Sequence, residues 1–222
     1  LFQKNRPSRY CWNSMPFLMY NVYQEDSDMR IFDISREMTT AVLYPGSCPV
    51  ALEKLCSMAA GDSYNLSAFS ADLHAGTHVD APLHFIDGAA DIASVPLSRF
   101  FGPCHVIELT NRLLTAESLL PLMPQKAEKI LLKNSVAAVL TPQCAQMLAE
   151  RNITTLGTEN LSVAPFDNEG EIHTILLSAN IAIIESLDLS HVEAGEYFLS
   201  AAPIKIKGAE AAYARAVLIC FE

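Results

Sequence analysis

Four of the six histidines stand where chemistry is possible: His74, His78, His84 and His173. Three of them fall in one short run, His74-Ala-Gly-Thr-His78-Val-Asp80-Ala-Pro-Leu-His84, together with a carboxylate. Imidazole nitrogens and a carboxylate without thiolate suit zinc, manganese or a similar divalent ion. On a helix the spacing of His74 and His78 would also put both on one face, but Gly76, Thr77, Val79 and Pro82 are poor helix residues. A strand fits better. With a period of two, His74, Gly76, His78 and Asp80 share one face, while Ala75, Thr77, Val79 and Ala81 form a small, mostly apolar face for the core. Pro82 has no amide donor, so the ladder should end near it, and His84 then sits on a loop beside the cluster. Buried without compensation, such a polar face is costly; a metal ion offsets that cost.

The elements that must position these residues alternate in type. Ile31–Ile34 reads as a first strand, Tyr44–Pro49 as a turn-rich loop and Ser67–Asp80 as a pair of extended segments. Cys104–Leu109, Lys129–Lys133, Ile153–Leu156, Ile181–Ile184, Pro203–Lys207 and Arg215–Cys220 read as strands. Pro142–Arg151 is a helix, with Thr141 as its N-cap and Pro142 at its first position, and His173–Ala179 is a second, shorter one. Mixed in this way, the elements indicate an α/β domain built around a sheet. Residues 1–28 show no clear period and carry three bases against three acids. They read as an N-terminal extension or arm, and residues 29–222 as the functional domain.

The chain has 222 residues, 50% hydrophobic and 18% charged, enough to bury a core. Its net charge of −10 repels phosphate backbones and argues against nucleic acid as a partner. No apolar run approaches the ~20 residues that span a bilayer, so no membrane association is expected. The six cysteines are widely spaced and form no CxxC pair, which points to free thiols in a reducing, cytoplasmic compartment. His105 and His191 lack ligand spacing and read as structural. Cys104 and Cys144 have no adjacent base to activate them.

The run from His74 to His84, continued by Phe85, resembles the signature of the cyclase family, which contains bacterial kynurenine formamidases and isatin hydrolases. Arg30-Ile-Phe-Asp-Ile-Ser35, Tyr44-Pro-Gly46, Val95-Pro-Leu97, Gly102-Pro-Cys104 and Leu156-Gly-Thr-Glu159-Asn-Leu-Ser-Val163 resemble further family segments, as do His173 and Glu185 in a helix-then-strand context. The resemblance covers about residues 30–220. It implies a swivelling β/β/α-type domain, a homodimer and a two-metal site (Zn2+ or Mn2+). In that site His74 and His78 hold one ion, His173 the other, and Asp80 and Glu185 lie between them. His84 is the acid/base residue. Tyr44 lies where the family has an aromatic substrate contact, with a core role as the alternative, and Glu159 is a possible second carboxylate behind a ligand histidine. The implied activity is metal-assisted hydrolysis of an amide C–N bond in a small molecule, with N-formyl-L-kynurenine as the leading substrate. The alternatives are the opening of a cyclic amide such as isatin, or metal binding without turnover; His84, which holding one ion does not require, favours an enzyme.

Overall fold

A computed structural model describes residues 29–136 and 138–221; the extension read at residues 1–28 lies outside them. The strands are β1 (Met29–Asp33), β2 (Ala51–Cys56), β3 (Leu66–Ser70), β4 (His78–Asp80), β5 (Phe101–Glu108), β6 (Leu113–Leu114), β7 (Lys129–Lys133), β8 (Val139–Leu140), β9 (Thr155–Thr158), β10 (Ala182–Glu185), β11 (Gly195–Ser200), β12 (Ala211–Tyr213) and β13 (Val217–Phe221). The α-helices are α1 (Ala116–Leu119), α2 (Pro142–Glu150) and α3 (Glu169–Ser178). Nine strands form one sheet in the order β1-β13-β11-β5-β7-β9-β10-β4-β12, while β2–β3 and β6–β8 pair separately.

The centre of the sheet, β5-β7-β9-β10, is parallel, and its flanks are antiparallel. The central strands read as unbroken apolar runs, Ile130-Leu-Leu132 and Ala182-Ile-Ile184, because both of their faces are covered. On one face Ile130, Leu132, Leu156 and Ile183 pack with Leu148 of α2 and Leu176 of α3. On the other face Val79, Leu131, Ile184, Leu199, Ala212 and Leu218 belong to one cluster. These residues come from strands near both ends of the sheet order, so the sheet curls over its own inner face. The α/β reading and the β/β/α-type expectation both agree with this architecture.

A local signal sets the start of α2. The Thr141 hydroxyl accepts from the Cys144 N–H at 3.2 Å, capping α2 as its sequence indicated. Helix α3 begins at Glu169, four residues before the expected His173. Its polar first turn, Glu169-Gly-Glu171, looks like a loop, yet acidic residues favour a helix N-terminus. Pro203–Lys207 is not a strand: only Pro203 bridges Ala214. The strand of that region is β11, which pairs with both β5 and β13. Ile153–Leu156 is shifted, with the strand occupying Thr155–Thr158.

Gly157 lies on the crowded inner face, where a methyl group would run into the side chains of Leu131 and Leu187. Gly157→Ala is expected to destabilise the protein by about 1–3 kcal/mol through overpacking, read as a lower urea midpoint at unchanged slope. An unchanged midpoint would show that the inner face is loosely packed.

Candidate metal centre

Side-chain parity brings the cluster together. In β4, Val79 enters the inner core, so His78 and Asp80 face the helix side. In β10, Ile184 points inward, so Ile183 and Glu185 share that helix side. The antiparallel register sets Glu185 opposite His78 and Ile183 opposite Asp80. Helix α3 packs over the same face and contributes His173.

His74 arrives differently from the strand-face expectation. Strand β4 covers only His78–Asp80, and residues 73–77 form a turn and bend in which Gly76 has φ +61°. Left-handed backbone at Gly76 folds His74 back over the strand, so its ring reaches the site from the turn rather than by alternation. The outcome is the same meeting of ligands: His74 Nδ1 lies 3.2 Å from Asp80 Oδ1, and the His74 and His78 ring centroids are 4.9 Å apart.

Each carboxylate faces two ways. Asp80 Oδ1 is 3.4 Å from His78 Nε2, while Asp80 Oδ2 is 3.7 Å from His173 Nε2. Glu185 Oε2 is 3.5 Å from His78 Nε2, and Glu185 Oε1 is 3.4 Å from His173 Nε2. Glu185 Oε1 also accepts from the Val163 N–H at 2.8 Å. The result is two overlapping groups, His74-His78-Asp80 and Asp80-His173-Glu185, with ligand atoms in each group within 4.8 Å of one another.

The donor set fits a divalent cation. His78 Nδ1 donates to the Gly76 carbonyl at 2.8 Å, and His173 Nδ1 donates to the Glu169 carbonyl at 2.9 Å. These bonds leave the Nε2 lone pairs aimed at the carboxylates, as in histidines oriented for metal binding. His78 Nε2 and both Asp80 oxygens are buried with no hydrogen-bond partner. Such orphaned atoms demand either a proton or a metal ion between them. Without an ion, burial pushes the His78 pKa down, but Glu185 and Asp80 outweigh it and raise it to about 9. His173 is likewise raised to about 9 by Glu185 and Asp80 against burial. Asp80 is opposed by burial yet held below the usual carboxylate range by the histidines, and so is Glu185.

His84 ends a single 3-10 turn, Pro82–His84, just beyond β4. Its ring centroid is 4.2 Å from that of His74 and 5.9 Å from that of His173. Burial lowers its pKa, Asp80 opposes this, and His74 and His173 lower it further, so His84 is neutral at neutral pH. Phe85 stacks on His173 with centroids 4.6 Å apart.

A cavity of about 330 Å3 opens beside the cluster, lined by Tyr44, Ser47, His84, Phe85 and Glu169 among others. The Tyr44 hydroxyl donates to Glu169 Oε2 at 2.9 Å, and its ring stacks on Phe166. Tyr44 is therefore a cavity wall rather than core. A larger concavity of about 660 Å3 lies around Arg36, Glu37, Tyr213 and Arg215. None of its lining residues is a candidate ligand, and Arg215 is paired there with Asp33 at 2.6 Å.

Glu159 does not stand behind a ligand histidine. Its Oε2 accepts from the Ser135 N–H at 3.2 Å and its Oε1 from the Leu189 N–H at 3.0 Å. The carboxylate braces two loops at the ends of β7 and β10, while backbone carbonyls orient the histidines. His105 pairs with Glu196 at 2.8 Å and His191 is exposed in a turn, in keeping with structural roles. Sequence reasoning missed Asp72, Glu169 and Glu210. Asp72 accepts from the His74 N–H at 3.1 Å and the Cys48 N–H at 2.8 Å, pinning the Tyr44 loop to the ligand turn. An Asx turn two residues before His74 was its available signal. Glu210 Oε1 lies 3.5 Å from His74 Nε2, a contact between segments far apart in the chain that local sequence does not register.

Comparison with known proteins identifies the family and the fold. Residues 14–165 match the Cyclase family. The kynurenine formamidase of Paracidovorax citrulli is 30% identical over 206 residues, covering 85% of this chain and 95% of that protein. A solved structure described as a "Potential Metal-Dependent Hydrolase With Cyclase Activity" superposes with a TM-score of 0.75 at 29% identity, covering 87% of this chain and 99% of its own. Isatin hydrolase A from Labrenzia aggregata has the same fold, with a TM-score of 0.75 at 22% identity over 88% of this chain and 95% of its own.

With pKa values raised from 6.5 to about 9, His78 and His173 are protonated at pH 7 when no ion is bound. Metal uptake near pH 7 should therefore release about two protons per chain, falling toward zero above pH 9–10. A weakly buffered titration with a pH indicator measures this. The same shifts stabilise the metal-free fold fully below about pH 6.5, and that contribution is lost as pH rises through about 9. Metal uptake without proton release at pH 7 would contradict the protonated cluster.

Proposed function

The chain belongs to the Cyclase family, and from that premise we propose that it is a metal-dependent hydrolase cleaving the amide C–N bond of an aryl formamide. N-formyl-L-kynurenine is the leading substrate, giving formate and kynurenine. The observation that carries this reading is the pair of ligand groups sharing Asp80 beside an aromatic-walled cavity. Similarity to a kynurenine formamidase over 85% of the chain supports the substrate class.

In this proposal two divalent ions, zinc or manganese, are held per chain. His74, His78 and Asp80 would hold one, and His173 and Glu185, with Asp80, the other. Bound there, such ions polarise an amide carbonyl and bring the pKa of a water from ~15.7 toward ~7. The chain's own residues do the rest. Asp80 and Glu185 balance positive charge in a site where His78 and His173 are almost wholly buried. Tyr44 and Phe85 flank the cavity and hold the aromatic ring of the substrate. The Tyr44–Glu169 hydrogen bond fixes the orientation of that wall. Neutral His84 takes the proton of the attacking water on its imidazole and passes it to the leaving nitrogen. The broken bond is acyl carbon to nitrogen; the water oxygen ends in formate and its proton on the aryl amine.

The homodimer and the cytoplasmic location also belong to this proposal. Light scattering on the purified chain tests the first. The second is supported by the free state of Cys48, Cys56, Cys104, Cys144 and Cys220. None of the candidate site residues His74, His78, Asp80, His84, His173 and Glu185 comes from residues 1–28, so removal of that segment is expected to leave metal content unchanged; loss of metal from a folded truncation would place it in the site.

Formate release from N-formyl-L-kynurenine and from formanilide, alongside ring opening of isatin, tests the reaction. No turnover of any of these by metal-loaded protein would leave metal binding without catalysis. His84→Ala should lower kcat by about 10²–10⁴ while retaining metal. His78→Ala should lose metal outright, because it removes a direct ligand. If both variants lose metal equally, His84 is a ligand; if His84→Ala turns over at the wild-type rate, the proton travels by another route.

A further inference from the structure

Thr77 precedes His78, and Ser186 follows Glu185; the two ligands between them face each other across β4 and β10. The ladder between those strands ends at the His78–Glu185 pair, so sheet pairing does not hold the chain beyond it. One side chain does. Thr77 is 2% exposed, and its Oγ1 donates to the Ser186 carbonyl at 2.6 Å. The same oxygen accepts from the Arg36 N–H at 2.8 Å.

Ser186 needs such a hold. It is 1% exposed and has φ +58°, left-handed backbone in a residue that is not glycine. That conformation persists only where the surroundings over-determine it. The Ser186 N–H donates to the Asn160 carbonyl at 2.9 Å, which leaves the Ser186 carbonyl to Thr77. Leu187 and Asp188 then run on to the Thr158 and Ile34 carbonyls at 3.0 and 2.9 Å. Besides these backbone bonds, the turn immediately after Glu185 is tied to a hydroxyl immediately before His78. Only a group that both donates and accepts satisfies the Ser186 carbonyl and the Arg36 N–H together.

We propose that Thr77 is a positioning residue of the metal centre: its hydroxyl sets the separation of His78 and Glu185 by clamping the left-handed turn at Ser186. The proposal rests on reading the cluster as a metal centre. Thr77→Val keeps the shape and removes both hydrogen bonds; Thr77→Ser keeps both and removes a methyl group.

The test loads the full chain with Co2+ and records the visible d–d absorption, the Co2+ retained against increasing chelator, and folding by circular dichroism. Wild type should bind Co2+; if it does not, the metal-centre reading fails and takes the proposal with it. In folded Thr77→Val the d–d bands should shift, and Co2+ should be lost at tenfold or lower chelator concentration. Thr77→Ser should match wild type. Leu148→Ala, a core change in α2 away from the ligands, should lower stability without altering the bands. Wild-type bands and retention in Thr77→Val overturn the proposal. So does an equal loss in Thr77→Ser, which would assign the effect to the methyl group, and so does the same band shift in Leu148→Ala. Should Thr77→Val not fold, Thr77→Ala takes its place under the same criteria: wild-type bands and retention overturn the proposal, and shifted bands with early loss support it.

Discussion

Two buried carboxylates set the terms for this molecule. Asp80 and Glu185 are 0% and 4% exposed and lie on the same face of neighbouring strands. Removing an unpaired charge from water costs several kcal/mol, and two like charges side by side add repulsion. The site is tolerable only if positive charge reaches both carboxylates at once. His78 and His173 do so when protonated in the metal-free chain, and with His74 they are the candidate ligands of a cation. Every element that bears a candidate ligand must consequently be in place together: the turn before β4, β4 itself, the end of β10 and the first half of α3.

The sheet is shaped to deliver them. An antiparallel β4 against the parallel strand β10 sets His78 opposite Glu185. Their neighbours Val79 and Ile184 fall on the inner face, where the curled sheet has room only for compact packing: Ala182, Ala212, Ala214 and Ala216 lie there, beside Gly157. On the outer face α3 rests on the sheet through Ile172 and Leu176, flanking His173. Packing and chemistry thus alternate residue by residue along two short strands.

Around this centre, carbonyls and carboxylates hold orientation rather than bind. The Gly76 and Glu169 carbonyls orient imidazoles, Asp72 ties the Tyr44 loop to the His74 turn, and Glu159 braces the ends of β7 and β10. The Tyr44 wall is held by Glu169, from the same first turn of α3 that orients His173. The cavity and the ligand set therefore share their supports, and a disturbance of α3's first turn reaches both.

Much of this was legible in the chain. The spacing of His74, His78, Asp80 and His84 marks a candidate metal-binding run, with the acid/base role of His84 resting on family resemblance, and apolar runs mark β7 and β10. Thr141-Pro142 marked the start of α2, because a cap is a local hydrogen bond written in adjacent residues. Where local signals are weak, sequence and structure part: α3 begins earlier behind a polar first turn, β11 carries no clear period, and Pro203–Lys207 reads as a strand but forms only one bridge. Periodicity and capping report only geometry within a few residues. They could not show that His74 arrives from a left-handed turn at Gly76 instead of along a strand. Nor could they join His173 and Glu185 to residues a hundred positions earlier, a link that rested on family resemblance. That Glu159 braces loops while Thr77 clamps Ser186 was equally beyond them. The sequence by itself determined which side chains were available for chemistry and which local elements would carry them. Tertiary structure alone decided which of them meet, because β4–β10 register and the seating of α3 on the sheet are set by packing between segments distant in the chain.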